Sequence, residues 1–230
     1  MLELLAPAGS QEALVAAVEN GADAVYLAGD KFGARAYAAN FTADGLRAAI
    51  RFAHLRGVAV HVAVNIIVDD AEMKDLSDYL RFLYEAGADA VLIQDLGAAR
   101  LARRIVPALP LHASTQMTVH NLAGVLALEQ LGFTRVVLSR ELSLDDIRYI
   151  CSHSRAEIEV FAHGALCVCY SGQCLMSSLI GGRSGNRGRC AQPCRLPYTL
   201  VNAAGNDMLG TRAGQFLLSP RDLNTAGILP

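Results

Sequence analysis

The sequence predicts an α/β protein, a (β/α)8 TIM-barrel-like array that stops short of its last strand and carries a cysteine-rich insertion after strand seven. Three observations predict it. An amphipathic stretch ending at glycine and followed by a short apolar run occurs four times, in ENGADAVYLAG (19–29), LRGVAVHVAVN (55–65), EAGADAVLIQD (85–95) and QLGFTRVVLSRE (130–141). Each reads as a helix, a glycine in the left-handed C-cap conformation, and a strand. The apolar runs are rich in Val, Ile and Leu on both faces, as strands of a covered parallel sheet are. No glycine-rich dinucleotide fingerprint follows the first strand, since APAGS holds one glycine, and this favours a barrel over a doubly wound sheet.

Taken in order, strands are expected to start near residues 2, 24, 58, 90, 111, 135 and 158, with Glu3–Leu5, Leu111–Ala113 and Ile158–Ala162 completing the seven. Helices are expected over Gln11–Asn20, Ala43–Leu55, Ala71–Ala86 and Leu144–Ser152, the last two capped by Asp70 and Ser143. Residues 1–163 form the barrel portion. Residues 164–230 form a second unit, with the cysteine-rich segment, a small hairpin at Tyr198–Val201, NAAGND and Met208–Leu209, and LLSPRDL (217–223) opening a further helix. No eighth strand is visible, so either the barrel is incomplete or the chain is the N-terminal portion of something longer.

Composition narrows the class. With 53% apolar and 18% charged residues, the chain can bury a large core, which excludes disorder. A net charge of −2 gives no global attraction for polyanions. A local patch exists in Arg183, Arg187, Arg189 and Arg195, which have no acid between them and could hold RNA phosphates. The N-terminus lacks a basic n-region, and the uncharged window Val160–Gly182 contains His163, Gln173 and three cysteines, so neither a signal peptide nor a membrane span is read. A cytoplasmic location follows as the expectation, and there clustered cysteines are ligands or reactive thiols rather than disulfides.

Polar residues gather just after each strand, where barrel enzymes keep their sites. The candidate catalytic set is Arg35, Asn40, Gln94, Asp95, Gln116, Arg140, Glu141 and His163. Arg35 and Arg140 suit the carboxylates of a small donor. Gln94, Asp95 and Gln116 suit a base edge or a hydroxyl.

Five of the six cysteines lie between Gly164 and Cys194, and Cys167, Cys174, Cys190 and Cys194 are spaced C-x6-C-x15-C-x3-C. An iron–sulfur cluster is the first reading, because its ligands come from loops with irregular spacing. Zinc is second, since only the Cys190–Cys194 pair has knuckle spacing. A Cys167 nucleophile activated by His163 is a third.

The stretches ELLAPAGSQEALVAAVENGADAVYLAG, FGARAYAANF, LIQDLG, HASTQM, LSREL and VFAHGALCVCYSGQCLMSSLIGGRSGNRGRCAQPCR resemble the collagenase-like peptidase family, number thirty-two among peptidases of unknown catalytic type. The resemblance covers nearly all of residues 2–224. It implies oxygen-independent hydroxylation of a pyrimidine in tRNA or 23S rRNA, linked to prephenate. Its alternatives are the peptidase of the family name, or a non-catalytic or ubiquinone-pathway partner subunit. It also implies a 4Fe–4S cluster, with Cys167, Cys174 and Cys190 matching the first three ligands. The ubiquinone-type members draw the fourth from further downstream; here no cysteine follows Cys194, which is the natural substitute, and Cys169 is the outsider. An open barrel edge would further invite an oligomer or a partner subunit.

Overall fold

The computed structural model describes residues 2–208 and 215–228. Seven parallel strands, β1 (Leu5–Pro7), β2 (Ala24–Leu27), β3 (Ala59–Val64), β4 (Ala90–Ile93), β5 (Leu111–Ala113), β6 (Arg135–Val137) and β7 (Glu157–Glu159), lie side by side in chain order. Helices alternate with them: α1 (Gln11–Glu19), α2 (Ala43–His54), α3 (Met73–Ala86), α4 (Leu96–Ile105), α5 (Leu122–Gln130) and α6 (Leu144–His153). The sheet curls into a half-barrel. The first strand sits later than expected, at Leu5 rather than Glu3, and the seventh is shorter, ending at Glu159.

Local chemistry explains the helix limits. Ser10, Thr42, Asp95, Asn121 and Ser143 each accept a hydrogen bond from a first-turn backbone N–H. Ser143 does so in a capping box with Asp146, as expected of that position. At the other expected cap the box is formed by Asp69 with Glu72, one residue early, around a 3-10 turn at Asp70–Glu72 that leads into α3. Helix α3 stops at Gly87, whose φ of 89° is open to glycine at little cost and whose N–H closes onto Leu83 and Tyr84.

Strand side chains alternate between two layers. Val25, Val60, Val62, Val91, Ile93 and Leu111 face the helices and pack with Leu14, Leu46, Ile50, Leu76 and Leu80 in one continuous apolar core. The opposite, inward face carries Tyr26, His61, His112, Arg135, Glu157 and Glu159. Arg135, with a side chain only 9% exposed, donates from Nη1 and Nη2 to Glu3 at 2.6 and 2.9 Å and from Nε to Glu157 at 2.8 Å. These contacts join the segment before β1 to β6 and β7 across the interior.

After β7 the chain forms β8 (His163–Gly164), the short helix α7 (Met176–Gly181) and β9 (Leu223–Asn224), which pairs antiparallel with β8. LLSPRDL therefore opens with a turn at 217–218 and ends in β9 at Leu223, rather than opening a helix. The expected hairpin is present in its described part, with Val201 bridged to Asp207 and Tyr198 to Gln215; Leu209 lies outside the described residues. Among the described residues no helix is long and apolar enough to cross a membrane.

Replacing Arg135 by Met would leave Glu3, Glu157 and Glu159 facing one another. Because Glu3 and Glu157 are 38% and 66% exposed, solvent screens part of the loss, and the cost is expected at about 1–3 kcal/mol rather than that of a fully buried pair. The loss is read from the urea midpoint of Arg135→Met, and a wild-type midpoint would show that this guanidinium does not hold the sheet.

Candidate functional site

The mouth of the half-barrel is floored by residues just beyond β3 to β6. Asn65 accepts from the Ala34 N–H at 3.0 Å and donates to Ser114 Oγ at 3.3 Å, so one amide links the loop after β2 to the end of β5. Ser114 and Ser139 are buried. The Oε1 atoms of Gln94 and Gln116 and the Oγ of Ser139 are buried with no hydrogen-bond partner among the described residues. Buried polar atoms are rarely left so, and three of them at one end of a fold point to a ligand or ordered water there.

The cysteine-bearing segment lies over this floor and is fastened on two sides. On one, Asn186 accepts from Gln94 Nε2 at 3.5 Å, the Ile67 N–H donates to the Asn186 carbonyl, and the Ala36 N–H donates to the Gly188 carbonyl. Arg187 forms a two-pronged pair with Glu72, both contacts at 2.6 Å, which holds the Glu72 carboxyl down at about 2. On the other side Thr118 Oγ1 donates to the Ser171 carbonyl and accepts from Gln173, both at 2.7 Å. Glu141 accepts from the Ser171 N–H and hydroxyl and also pairs with His120 Nε2 at 3.1 Å. Backbones touch at both fastenings: a Cβ at Gly172 would collide with the Gln116 carbonyl, and one at Gly188 with the Gly33 carbonyl.

Of the expected site residues, Gln94, Gln116, Arg140 and Glu141 meet here. Arg140 donates to Ser171 Oγ, to the Ala165 carbonyl at 3.2 Å and to Cys167 Sγ at 3.5 Å, so it binds the overlying segment. Asp95 is a helix cap: one carboxylate oxygen accepts from the Ala98 N–H and the other from the Val68 N–H. Asn40 makes a local turn to the Arg35 carbonyl, and Arg35 is exposed. His163 sits exposed on β8, and among the described residues no hydrogen bond joins it to Cys167. Thr118, His120, Ser171 and Asn186 were not foreseen.

Of the arginine patch, Arg187 and Arg195 bind the fold itself; Arg195 reaches Ser219 Oγ and the carbonyls of Pro220 and Leu166. Arg183 lies 4.6 Å over the exposed Tyr37 ring and donates to the Arg189 carbonyl.

All six cysteines are free thiols. The Cys194 thiol is pushed up by burial and further by Cys167, Cys190 and Cys174, although Arg195 opposes this. Those four groups are therefore electrostatic neighbours. Cys169 is held up by burial and by Cys174, to which it is hydrogen-bonded, so it neighbours the group of which the resemblance makes it the outsider. Among the described residues no three His, Cys, Asp or Glu side chains converge on one point as a single metal ion requires.

Comparison with known proteins gives the lineage. The chain is 45% identical over 204 residues to 23S rRNA 5-hydroxycytidine C2501 synthase of Escherichia coli, a match covering 89% of this chain and 31% of that protein. It is 38% identical to tRNA hydroxylation protein P1 of Bacillus subtilis over 99% of this chain and 55% of that one. The chain thus spans 31% and 55% of the length of these two relatives. The solved U32 peptidase Mk0906 superposes with a TM-score of 0.61 at 14% identity, over 72% of this chain and 70% of that one, which shows a shared fold. Residues 9–230 match the model of peptidase family U32, and the chain belongs to that family.

Proposed function

We propose that this chain is the cluster-bearing barrel of a protein that hydroxylates a pyrimidine in tRNA or rRNA without O2. In this reading the seven strands are the first seven of an eight-stranded barrel, with the cysteine segment inserted after the seventh. The observation that carries it is the fastening of five thiols over a floor of unpartnered amide and hydroxyl atoms, in a chain whose relatives are named for RNA hydroxylation. Gln94 and Gln116 supply carbonyl oxygens, and Ser139 a hydroxyl, that would meet the hydrogen-bonding edge of an unstacked base.

The thiols fit a 4Fe–4S cluster. Cys167, Cys174, Cys190 and Cys194 would hold it, because cluster ligands surround a cage rather than converge on one ion. The Cys194 thiol, which burial and its cysteine neighbours keep protonated, needs a strong local positive charge to ionise, and cluster iron or, as the alternative, zinc would provide it. When bound, the cluster supplies one-electron chemistry. The chain's own residues shape the place: Arg140 holds Cys167 toward the mouth, Glu141 and Thr118 fix Ser171 beneath it, and Arg187 with Glu72 fixes the far side. Arg183 and Arg189 are the arginines left to meet RNA phosphates, and Arg35 a small carboxylate donor such as prephenate.

Mass spectrometry of tRNA and rRNA from a deletion strain tests the reaction: one hydroxypyrimidine is expected to disappear, and an unchanged set rejects it. For the cofactor, anaerobically purified protein is expected to be brown with about four irons per chain. Serine at Cys167, Cys174, Cys190 or Cys194 removes the colour; serine at Cys151 or Cys169 leaves it. Colour lost in Cys169→Ser but kept in Cys194→Ser would make Cys169 the fourth ligand. For the fastening, Gly188→Ala forces a Cβ against the Gly33 carbonyl at a φ of 73°. It is expected to cost about 1–3 kcal/mol of local stability and to speed limited proteolysis within 182–190. A wild-type digestion rate would show that this contact does not fasten the segment.

A further inference from the structure

Barrels of this kind are filled by branched aliphatic side chains, yet the inward face here carries titratable groups that no step above uses. His61 and His112 are 4% and 5% exposed, and their rings meet edge to face with centroids 4.7 Å apart. The Nδ1 atom of each is buried and has no hydrogen-bond partner among the described residues, and the same holds for Glu159 Oε2. Arg135 approaches Glu159 only to 3.6 Å, its short bonds going to Glu3 and Glu157. Three carboxylates thus share one guanidinium, and Glu159 is the one left over.

These groups lie between two spaces. Below, at the N-terminal ends of the strands, His61, His112, Arg135 and Glu157 line a cavity of about 630 Å3. Above, Ser139 Oγ and the Gln94 and Gln116 carbonyl oxygens form the floor of the mouth. On the inward face Glu159 stands one position beyond Glu157 and beside Val137, with Ser139 one position beyond that, so unpartnered polar atoms recur at successive levels of the interior, and water is the bridging partner that suits them.

We propose that this column carries protons between the mouth and the lower cavity, with Glu159 as the group that takes them up and releases them. The proposal rests on the function above with water as the oxygen source: C–H and H2O give C–OH, two electrons leave to a one-electron acceptor, and two protons are released, so that each time a proton must leave from beneath the segment that covers the mouth. That proton passes through water to the Glu159 carboxylate, forming a carboxylic acid, and then through water along the His61 and His112 side to the cavity. The carboxylate is restored, and no electron moves along this route.

Burial pushes Glu159 up to about 7, against the opposing pull of Arg135, so both forms are populated near neutrality, as a relay group requires. The groups facing it are Arg135 from β6, Glu157 on β7, Glu3 before β1 and the Tyr26 phenol from β2, whose own proton burial holds more tightly. Burial, then His61 and Arg135, lower His112 to about 2, and burial and Arg135 lower His61. Both imidazoles stay neutral and can pass hydrogen bonds without trapping charge.

Infrared spectroscopy of the full-length holoprotein after a pH jump tests this without relying on turnover. A protonated carboxyl band that titrates near neutrality is expected in the wild type and absent in Glu159→Gln. His112→Leu should slow its appearance at least about tenfold, and in hydroxylation assays both variants should lower kcat with KM unchanged. Should His112→Leu fail to fold, His61→Leu serves. Glu159 titrating wholly in the ordinary carboxylate range, or histidine variants that protonate it as fast as the wild type, would overturn the relay. A wild type that hydroxylates no RNA counts against the function above, while the band and its kinetics still decide the relay.

Discussion

The guanidinium of Arg135 holds together what the sheet's hydrogen bonds do not. Strands β1 and β7 are the two ends of a seven-stranded order, and Glu3 and Glu157 beside them are drawn onto one inward side chain between 2.6 and 2.9 Å. A buried ion pair is weak evidence of net stability against an apolar replacement, because desolvating the charges offsets most of their attraction. What it does supply is a constraint of direction. A planar fork satisfied by two carboxylates from opposite edges fixes how far those edges can part, and so fixes the curl of the sheet.

The mouth inherits its shape from that curl. With the strands splayed at one angle, the loops after β3, β4, β5 and β6 present Asn65, Gln94, Ser114, Gln116 and Ser139 to a common space, and the cysteine segment can reach both rims at once. Its two fastenings differ in kind. The Arg187 to Glu72 pair is a charge-assisted clasp from the β3 side, whereas Thr118, Ser171 and Glu141 form a neutral and ionic mesh on the β5 and β6 side. Thr118 adopts a φ of 62°, unusual for a residue branched at Cβ, and its hydroxyl bonds to the segment on both its donor and acceptor sides. Such strain persists where surrounding contacts over-determine it, which marks this corner as built rather than incidental.

Much of this was legible in the sequence, for reasons that are local. Helix, glycine and strand recur because capping and C-cap conformations depend on a few adjacent residues, and Ser143, Gly87 and the apolar runs gave them away. Partnerships at long range were not legible. Arg187 looked like one of four free cations, but its acid, Glu72, lies 115 residues away. Asp95 looked like a site residue because caps and catalytic carboxylates share the position just after a strand, and only its bonds to Ala98 and Val68 tell them apart. The inward polar layer, by contrast, is written in the strands themselves. VHV, LHA, TRVV and AEIEV each place a polar side chain at the alternate position of an otherwise apolar strand, and period-two counting puts all of them on the inward face.

That layer bears on chemistry, since the residues after the strands and those within them do different things. Mouth residues can orient a base or hold the thiol segment, but they sit beneath the segment that carries the cysteines. A reaction there that consumes or frees a proton depends on how protons reach it. An aliphatic interior would make the cover the only route; an interior holding Glu159, His61 and His112 makes the barrel itself a second one. The arrangement also explains why the leftover carboxylate is tolerated. One guanidinium among three glutamates leaves two negative charges uncompensated; Glu3 and Glu157 are open to solvent, which screens them, and at neutral pH a proton on Glu159 removes the charge that burial penalises most, without a further cation.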